Sequence, residues 1–312
     1  MSLDAPVAVL AGGVGAARLL AGLVRVVEPG RVTAIVNTGD DMVLHGLSIS
    51  PDIDTVVYTV AGAIDPDRGW GLADESWQAM ETLERYGGQT WFNLGDRDLG
   101  THLFRTQRLA EGATLAEVTA EMAAAWGLGF TVLPVTEDRL RTVLAVAGDE
   151  GEIAFQDYFV RRRHAVEVTG VRFDGAESAS PAPGVLAALE AAAHVVVAPS
   201  NPIVSIGPLL AVPGVREAVT ARRDDVVAVS PIVGGKALKG PADRLMRELG
   251  HESSVVGVAR LYAPIAGTLV IDEVDAEHAE AVQNAGLRCV VTDTIMRDPP
   301  AAAALCAAAL TR

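Results

Sequence analysis

The chain has 312 residues, half of them hydrophobic, with 25 Lys and Arg against 40 Asp and Glu and a formal charge of −15. That length and apolar content allow a sizeable core and exclude a wholly disordered chain. The acidic balance excludes a sequence-independent nucleic-acid binder, which needs a basic face, but not a phosphate ligand held by backbone amides, local arginines or a carboxylate-bound metal.

The first residues carry Asp4 and Pro6 and no basic stretch, so no secretory leader is expected. The apolar runs are strand-length or interrupted, so no membrane span is expected either. Cys289 and Cys306 lack a CxxC spacing and suit free thiols in a cytoplasmic protein. Val7 to Ala11 is an apolar run that breaks at Gly12 and Gly13 and resumes with helical spacing at Leu19, Leu20 and Leu23. This pattern predicts a strand–turn–helix unit. Gly12, Gly13 and Gly15 would let backbone N–H groups approach a phosphate at the positive end of the helix; the alternative is a plain tight turn. Arg18 stands where a dinucleotide fingerprint has its third small residue.

Thr33 to Val36 reads as a second strand, ending in Asn37-Thr38-Gly39-Asp40-Asp41. Ser50-Pro51-Asp52-Ile53-Asp54-Thr55 then leads into the helical run Val56 to Val60, where Asp52 or Asp54 could serve simply as a cap. From residue 56 to 129 helical periodicity dominates, as in Glu75 to Tyr86 and Leu115 to Trp126. We read this stretch as a helical insertion over the rim of a sheet, with residues 1–55 and 130–312 as an α/β nucleotide-binding core. All four tryptophans (Trp70, Trp77, Trp91, Trp126) fall in it, either as its own core or facing a planar ligand. The segment Leu94-Gly95-Asp96-Arg97-Asp98 is a solvated turn with a helix cap, or part of a site.

Strand texture returns at Phe130 to Pro134, Thr142 to Ala147 and Ile153 to Val160, followed by the basic run Arg161-Arg162-Arg163-His164, a solvated turn or an anion contact. A loop from Asp174 to Gly184 precedes a helix, Val185 to Ala193. The strand His194 to Ala198 ends in Pro199-Ser200-Asn201-Pro202 and continues through Ser205 and Gly207; Val226 to Val229 runs into Ser230-Pro231-Ile232. The only two lysines, Lys236 and Lys239, follow, open to a phosphate role or a plain surface one. Val255 to Ala259, Thr268 to Ile271, Cys289 to Val291 and an alanine-rich helix, Ala301 to Leu310, complete the chain. Open α/β sheets take their ligands at the carboxyl ends of strands. Four such ends carry Gly, Ser, Asn or Asp loops, which predicts one shared site on a Rossmann-like, mostly parallel sheet with flanking helices.

HExxH, Gly-x-Ser-x-Gly and P-loop patterns are absent, so the chain is no obvious zinc hydrolase, serine hydrolase or P-loop NTPase. Asp40, Asp41, Asp52 and Asp54 flank one rim, and Asp96 and Asp98 could descend on it from the insertion. Hard carboxylate oxygens beside a phosphate loop suit Mg²⁺, which takes one or two protein ligands plus phosphate and water. A spare carboxylate could accept a proton from an attacking hydroxyl.

In order, Gly12-Gly13-Val14-Gly15, Asn37 to Asp41, Ser50 to Thr55, Leu94 to Asp98, Pro199 to Pro202 and Ser230-Pro231-Ile232 resemble the 2-phospho-L-lactate transferase family, over nearly the whole chain. The resemblance implies a Mg²⁺-dependent, cytoplasmic homodimer in coenzyme F-420 biosynthesis. It would move a phospholactyl or phosphoenolpyruvyl group from a guanosine-diphosphate-activated donor to the ribityl hydroxyl of the deazaflavin Fo, releasing GMP. It further implies that Gly12, Gly13, Gly15, Ser200, Asn201, Ser205, Gly207, Pro231 and Ile232 hold the guanosine diphosphate part. Asp40, Asp41 and Asp54 would hold the metal; Asn37, Asp41, Asn93 and Asp98 would contact the substrates; Asp54 or Asp96 would be the base. Asn93 stands where some relatives have a basic residue, a place Arg97 could fill. On this reading Asp54→Asn folds normally and loses transfer by about 10²-fold. The main competing reading is a regulator of the gluconeogenesis-factor type, which binds nucleotide-sugars and has a similar glycine loop and Asn/Asp rim. A nicotinamide-dependent dehydrogenase would need an acidic residue at the end of the second strand, where Val36-Asn37 stand.

Overall fold

The computed structural model describes residues 5–148 and 151–311, so Asp4 lies outside the described residues. The chain opens with strand β1 (Val7–Ala11), helix α1 (Gly13–Leu23) and strand β2 (Val32–Val36). A hairpin of β3 (Met42–Leu44) and β4 (Leu47–Ile49) precedes α2 (Pro51–Val60). Helices α3 (Gln78–Arg85), α4 (Asp96–Ala110) and α5 (Leu115–Ala125) lead to β5 (Thr131–Pro134). A small antiparallel sheet follows, made of β6 (Arg141–Val146), β7 (Glu152–Ala154) and β8 (Val168–Asp174). The second half continues through α6 (Val185–Ala191), β9 (His194–Val197), α7 (Gly207–Ala211), α8 (Val215–Thr220) and β10 (Val226–Val229). After the hairpin β11 (Ile232–Val233) and β12 (Lys236–Ala237) come α9 (Ala242–Glu248), α10 (Val255–Tyr262) and β13 (Thr268–Ile271). Helix α11 (Ala279–Asn284), strand β14 (Arg288–Val291) and helix α12 (Pro299–Leu310) close the fold.

Seven strands form the central sheet in the order β14-β13-β10-β9-β1-β2-β5, every neighbouring pair parallel. Such a sheet is covered on both faces, so its strands need apolar residues on both. In β1 all five residues are buried; Ala8 and Leu10 face one hydrophobic layer, Val7, Val9 and Ala11 the other. The chain proceeds from β1 to β2 and β5 on one side, then returns to β9 on the other. The strand order therefore reverses between β1 and β9, where open sheets of this kind leave a ligand crevice. On the second face α1 packs directly on α12: a Cβ at Gly22 would stand 2.6 Å from the Ala302 Cβ.

Helix α2 belongs to the core, with Val56, Val57 and Tyr58 buried in the same layer as α1. The segment between α2 and β5 packs on the β3–β4 hairpin through a small core of Leu44, Ile49, Met80 and Leu94. The tryptophans lie outside it. Trp126 packs edge-on against Tyr58 in the main core, and Trp70 meets Trp77 edge-on with the Arg68 guanidinium over both rings.

One expected strand is shorter than the sequence suggests. Ile153 to Val160 is extended only over β7 and then forms a π-helical turn at Asp157–Arg161. Phe155 and Tyr158 are buried in one cluster with Leu144, Val168 and Leu245. A strand would send residues three apart to opposite faces, whereas a helical turn brings both rings to the same side. Val255 to Ala259 is likewise helical, started by Ser254, whose side chain accepts from the Gly257 N–H at 3.1 Å. Among the described residues no helix is long and apolar enough to cross a membrane.

Candidate active site

β10, β9, β1 and β2 are neighbours and run the same way, so the four polar loops foreseen in the sequence share one edge of the sheet. Their turns are locked together across the crevice. The Ser200 hydroxyl donates to the Gly12 carbonyl at 2.7 Å. Gly15 lies directly on the Pro199 carbonyl, with no space for a Cβ, and Gly13 takes φ +70°, a left-handed conformation that favours glycine. A Cβ at Gly12 would stand 2.9 Å from that of Ser205 and 3.1 Å from Asp52 Oδ2. Asn201 Oδ1 accepts from the Ile203 N–H at 2.9 Å, and its Nδ2 is buried without a partner. The Ser230 Oγ accepts from the Ile232 N–H at 3.1 Å, which places half-buried Pro231 at the rim over buried Ile232. Gly207 begins α7 against Phe173, 2.7 Å from where its Cβ would be.

The acidic rim lies against this floor. Asn37 donates its Nδ2 to Asp52 at 2.9 Å and accepts the Gly39 N–H at 2.8 Å. Ser50 donates to Asp41 at 2.8 Å. Asp40 and Asp52 are buried, 5% and 7% exposed. Burial, then the neighbouring charges of Asp52 and Asp41, push Asp40 well above the usual carboxylate range. Burial raises Asp41 to about 7 against the opposing Ser50 hydrogen bond and the charge of Arg105. Burial also raises Asp52 to about 6, against hydrogen bonds from Asn37 and the Gly13 backbone. Asp40 Oδ1 and Asp41 Oδ1 are buried without partners. Clustered carboxylates with unused oxygens suit a divalent cation. Among the described residues no three Asp, Glu, His or Cys side chains form a metal-binding group, and an ion on Asp40 and Asp41 would have to draw its other ligands from substrate phosphate and water.

Asp54 sits in a different environment from the one the sequence suggests. Both its oxygens accept from the guanidinium of Arg105, which is 0% exposed. Arg105 also donates to the Ser48 carbonyl at 3.3 Å and lies 3.2 Å from His102 Nδ1. His102 Nε2 is 3.2 Å from Asp98 Oδ2, and the Tyr58 hydroxyl donates to Asp98 Oδ1 at 2.7 Å. Asp98 and Asp54 are thus the acidic members of a buried network spanning α2 and α4. The expectation that Asp54→Asn folds normally is corrected here, since that change strips the counter-charge from a buried arginine. His102, Arg105 and Tyr58 were missed in the sequence. Asp98, His102 and Arg105 follow one another at i, i+4 and i+7, one face of a helix, and that spacing was the available signal. Arg141 was missed too. It is half-buried, donates to the Leu140 carbonyl at 2.6 Å, and lies within electrostatic reach of Asp41 and Asp40.

Asp96 and Arg97 lie at the start of α4, outside that network. Asp96 accepts from the Ser76 hydroxyl at 2.6 Å and from the Gln78 and Ala79 N–H groups at 3.0 Å, capping α3. These hydrogen bonds hold its carboxyl below the usual range, which weakens it as a base. Glu75 answers from the other side, accepting the Arg97 N–H at 2.7 Å and the Asp98 N–H at 2.9 Å. The Arg97 guanidinium donates to the Ala73 carbonyl, and Asn93 is exposed just ahead of the helix. An open depression of about 610 Å³ lies elsewhere, lined by Arg223, Thr268 and Arg288 at the amino ends of β13 and β14.

Comparison with known proteins bears on this arrangement. The family model described as 2-phospho-L-lactate transferase CofD matches residues 7–306. The chain is 46% identical over 310 residues to a phosphoenolpyruvate transferase of Streptomyces griseus, covering 97% of each. It is 41% identical over 310 residues to one of Nocardia farcinica, covering 97% of this chain and 93% of that one. Among solved structures, protein BH3568 of Bacillus halodurans, described as a member of the UPF0052 family, superposes with a TM-score of 0.62 over 97% of this chain and 99% of that one. At 16% identity that likeness shows a shared α/β fold. The chain belongs to the 2-phospho-L-lactate transferase CofD family.

Proposed function

We propose that this transferase moves a phosphoenolpyruvyl group from a guanosine-diphosphate-activated donor to the ribityl hydroxyl of the deazaflavin Fo, releasing GMP, as a cytoplasmic homodimer in coenzyme F-420 biosynthesis. The observation that carries the reading is the meeting of four polar strand-end loops with carboxylates whose buried oxygens lack partners. The names of the relatives favour the enolpyruvyl over the lactyl donor.

In this reading the N–H groups from Gly13 to Ala16 and the free Asn201 Nδ2 receive the diphosphate, and the Ser200–Gly12 bond keeps the floor fixed beneath it. Asp40 and Asp41 would hold Mg²⁺, which when bound neutralises charge on the diphosphate. The Fo hydroxyl oxygen bonds to the phosphorus carrying the enolpyruvyl ester while the bond from that phosphorus to the GMP oxygen breaks. Asp52, raised to about 6 beside the glycine loop, takes the hydroxyl proton. The Arg105 network would hold α4 beside the site, and the exposed residues Asn93 and Arg97 would contact the acceptor.

Incubation with Fo, Mg²⁺ and either the enolpyruvyl or the lactyl guanosine diphosphate, followed by mass analysis, tests the reading. The enolpyruvyl donor is expected to give the phosphodiester and GMP. Turnover of the lactyl donor alone would overturn the donor assignment, and nucleotide-sugar binding with no turnover would favour the regulator reading.

A further inference from the structure

The small antiparallel sheet touches the acidic turn through Thr142 of β6. Its backbone N–H donates to the Gly39 carbonyl at 2.7 Å. Its hydroxyl lies against the same residue: a Cβ at Gly39 would stand 2.7 Å from Thr142 Oγ1 and 3.0 Å from Asn37 Oδ1. Only glycine leaves room for the hydroxyl there. The contact is braced from behind. Phe173 of β8 pairs with Thr142 in register and rests on Gly207 at the start of α7, and Pro208 of that helix packs on Gly39.

Thr142 is 2% exposed, and its hydroxyl closes no hydrogen bond. Buried hydroxyls without partners occur elsewhere, at Thr119 and Thr268, but Thr142 differs in its company. In the turn it touches, Thr38 Oγ1, Asp40 Oδ1 and Asp41 Oδ1 are buried without partners as well. Burial and the charges of Asp52 and Asp41 raise the Asp40 carboxyl, and Thr142 lies near enough to oppose that rise. Unmet polar oxygens are costly in an interior unless something answers them. A single hydrogen-bond donor would answer one of them, whereas a cation answers several at once. Mg²⁺ takes hard oxygens in an octahedral shell, and in phosphate-handling sites it accepts a threonine or serine hydroxyl beside a carboxylate.

We propose that the Thr142 hydroxyl is a ligand of the divalent cation that Asp40 and Asp41 hold, so that the small antiparallel sheet supplies part of the metal site. The inference rests on the cation placement in the proposed function and adds to it a donor from outside the acidic turn. That donor is neutral, so it completes the shell without a third negative charge to repel the diphosphate.

The test uses the full-length protein with GDP and Mn²⁺ in place of Mg²⁺, free Mn²⁺ being counted by electron paramagnetic resonance. Thr142→Val should weaken Mn²⁺ binding about tenfold or more, and Thr142→Ser should retain it. Metal-free GDP binding should be the same in all three proteins. Thr142→Cys tests direct ligation and carries the experiment alone should the valine variant not fold. With Co²⁺ and GDP it should show thiolate-to-cobalt absorption in the near ultraviolet, removed by excess Mg²⁺, while the parent, with Cys289 and Cys306 elsewhere, shows none. Unchanged Mn²⁺ affinity in Thr142→Val, or Co²⁺ bound to Thr142→Cys without that absorption, would overturn the inference and leave a cation on Asp40 and Asp41 standing. A parent protein that binds GDP but no Mn²⁺ would overturn the cation placement itself.

Discussion

Arg105 shows most plainly how one buried side chain constrains its neighbours. Its guanidinium lies in an apolar interior and is stabilised by the two oxygens of Asp54. Removing one member of a buried pair costs about 3–5 kcal/mol, because the other charge stays behind. We expect Asp54→Asn to lose stability on that scale in urea unfolding, and Asp54→Asn combined with Arg105→Met to recover much of it. A double variant as unstable as the two losses added together would refute the coupling. Asp272 is the opposite case, a carboxylate depressed by its surroundings. Burial raises its pKa, but hydrogen bonds from the Thr294 N–H and hydroxyl at 2.8 Å, and from Val274, outweigh that. Because the folded value is the lower one, its stabilisation is present above the unfolded value near 3.9 and fades as pH falls through the folded one. Asp272→Asn should therefore unfold earlier than the parent at pH 7, by about 1–3 kcal/mol. That difference should shrink steadily below about pH 4 in a melting series.

At the scale of elements, α3 and α4 start beside one another, and each is capped by a carboxylate from the segment leading into the other. Asp96→Ala should cost about 1 kcal/mol by removing the cap on α3, and transfer should persist. A complete loss of turnover in a variant that melts normally would return Asp96 to a catalytic role. The parallel core was legible in the sequence because each strand is a short apolar run closed by Gly, Pro, Ser or Asn. The glycine loop and the aspartates of the rim were legible for the same reason, since both are punctuation at strand ends. The helices of the insertion were legible too, but its buried polar network was not. Its polar interior is written at helical spacing along α4 and completed by Tyr58 and Asp54 from α2, about 40 and 50 positions earlier, so no local window contains it. The π-helical turn was hidden because six apolar residues within Ile153 to Val160 suit a strand equally well.

At the scale of the molecule, the reversal of strand order between β1 and β9 gathers loops from both halves of the chain onto one edge. Core and insertion then share buried charges rather than touching through a separable seam. Heating is accordingly expected to give one cooperative transition, with the Trp70 and Trp126 environments lost together. Calorimetric and van't Hoff enthalpies that disagree would show two independently melting parts.

The Arg105–Asp54 contact also bears on modularity. A segment whose central helix carries a buried cation neutralised from outside itself cannot be exchanged as a cassette. Moved alone to another sheet of the same shape, it would arrive with an unanswered positive charge and leave an unanswered negative one behind. Any recombination that preserves function must carry residues 48 to 105 as one block.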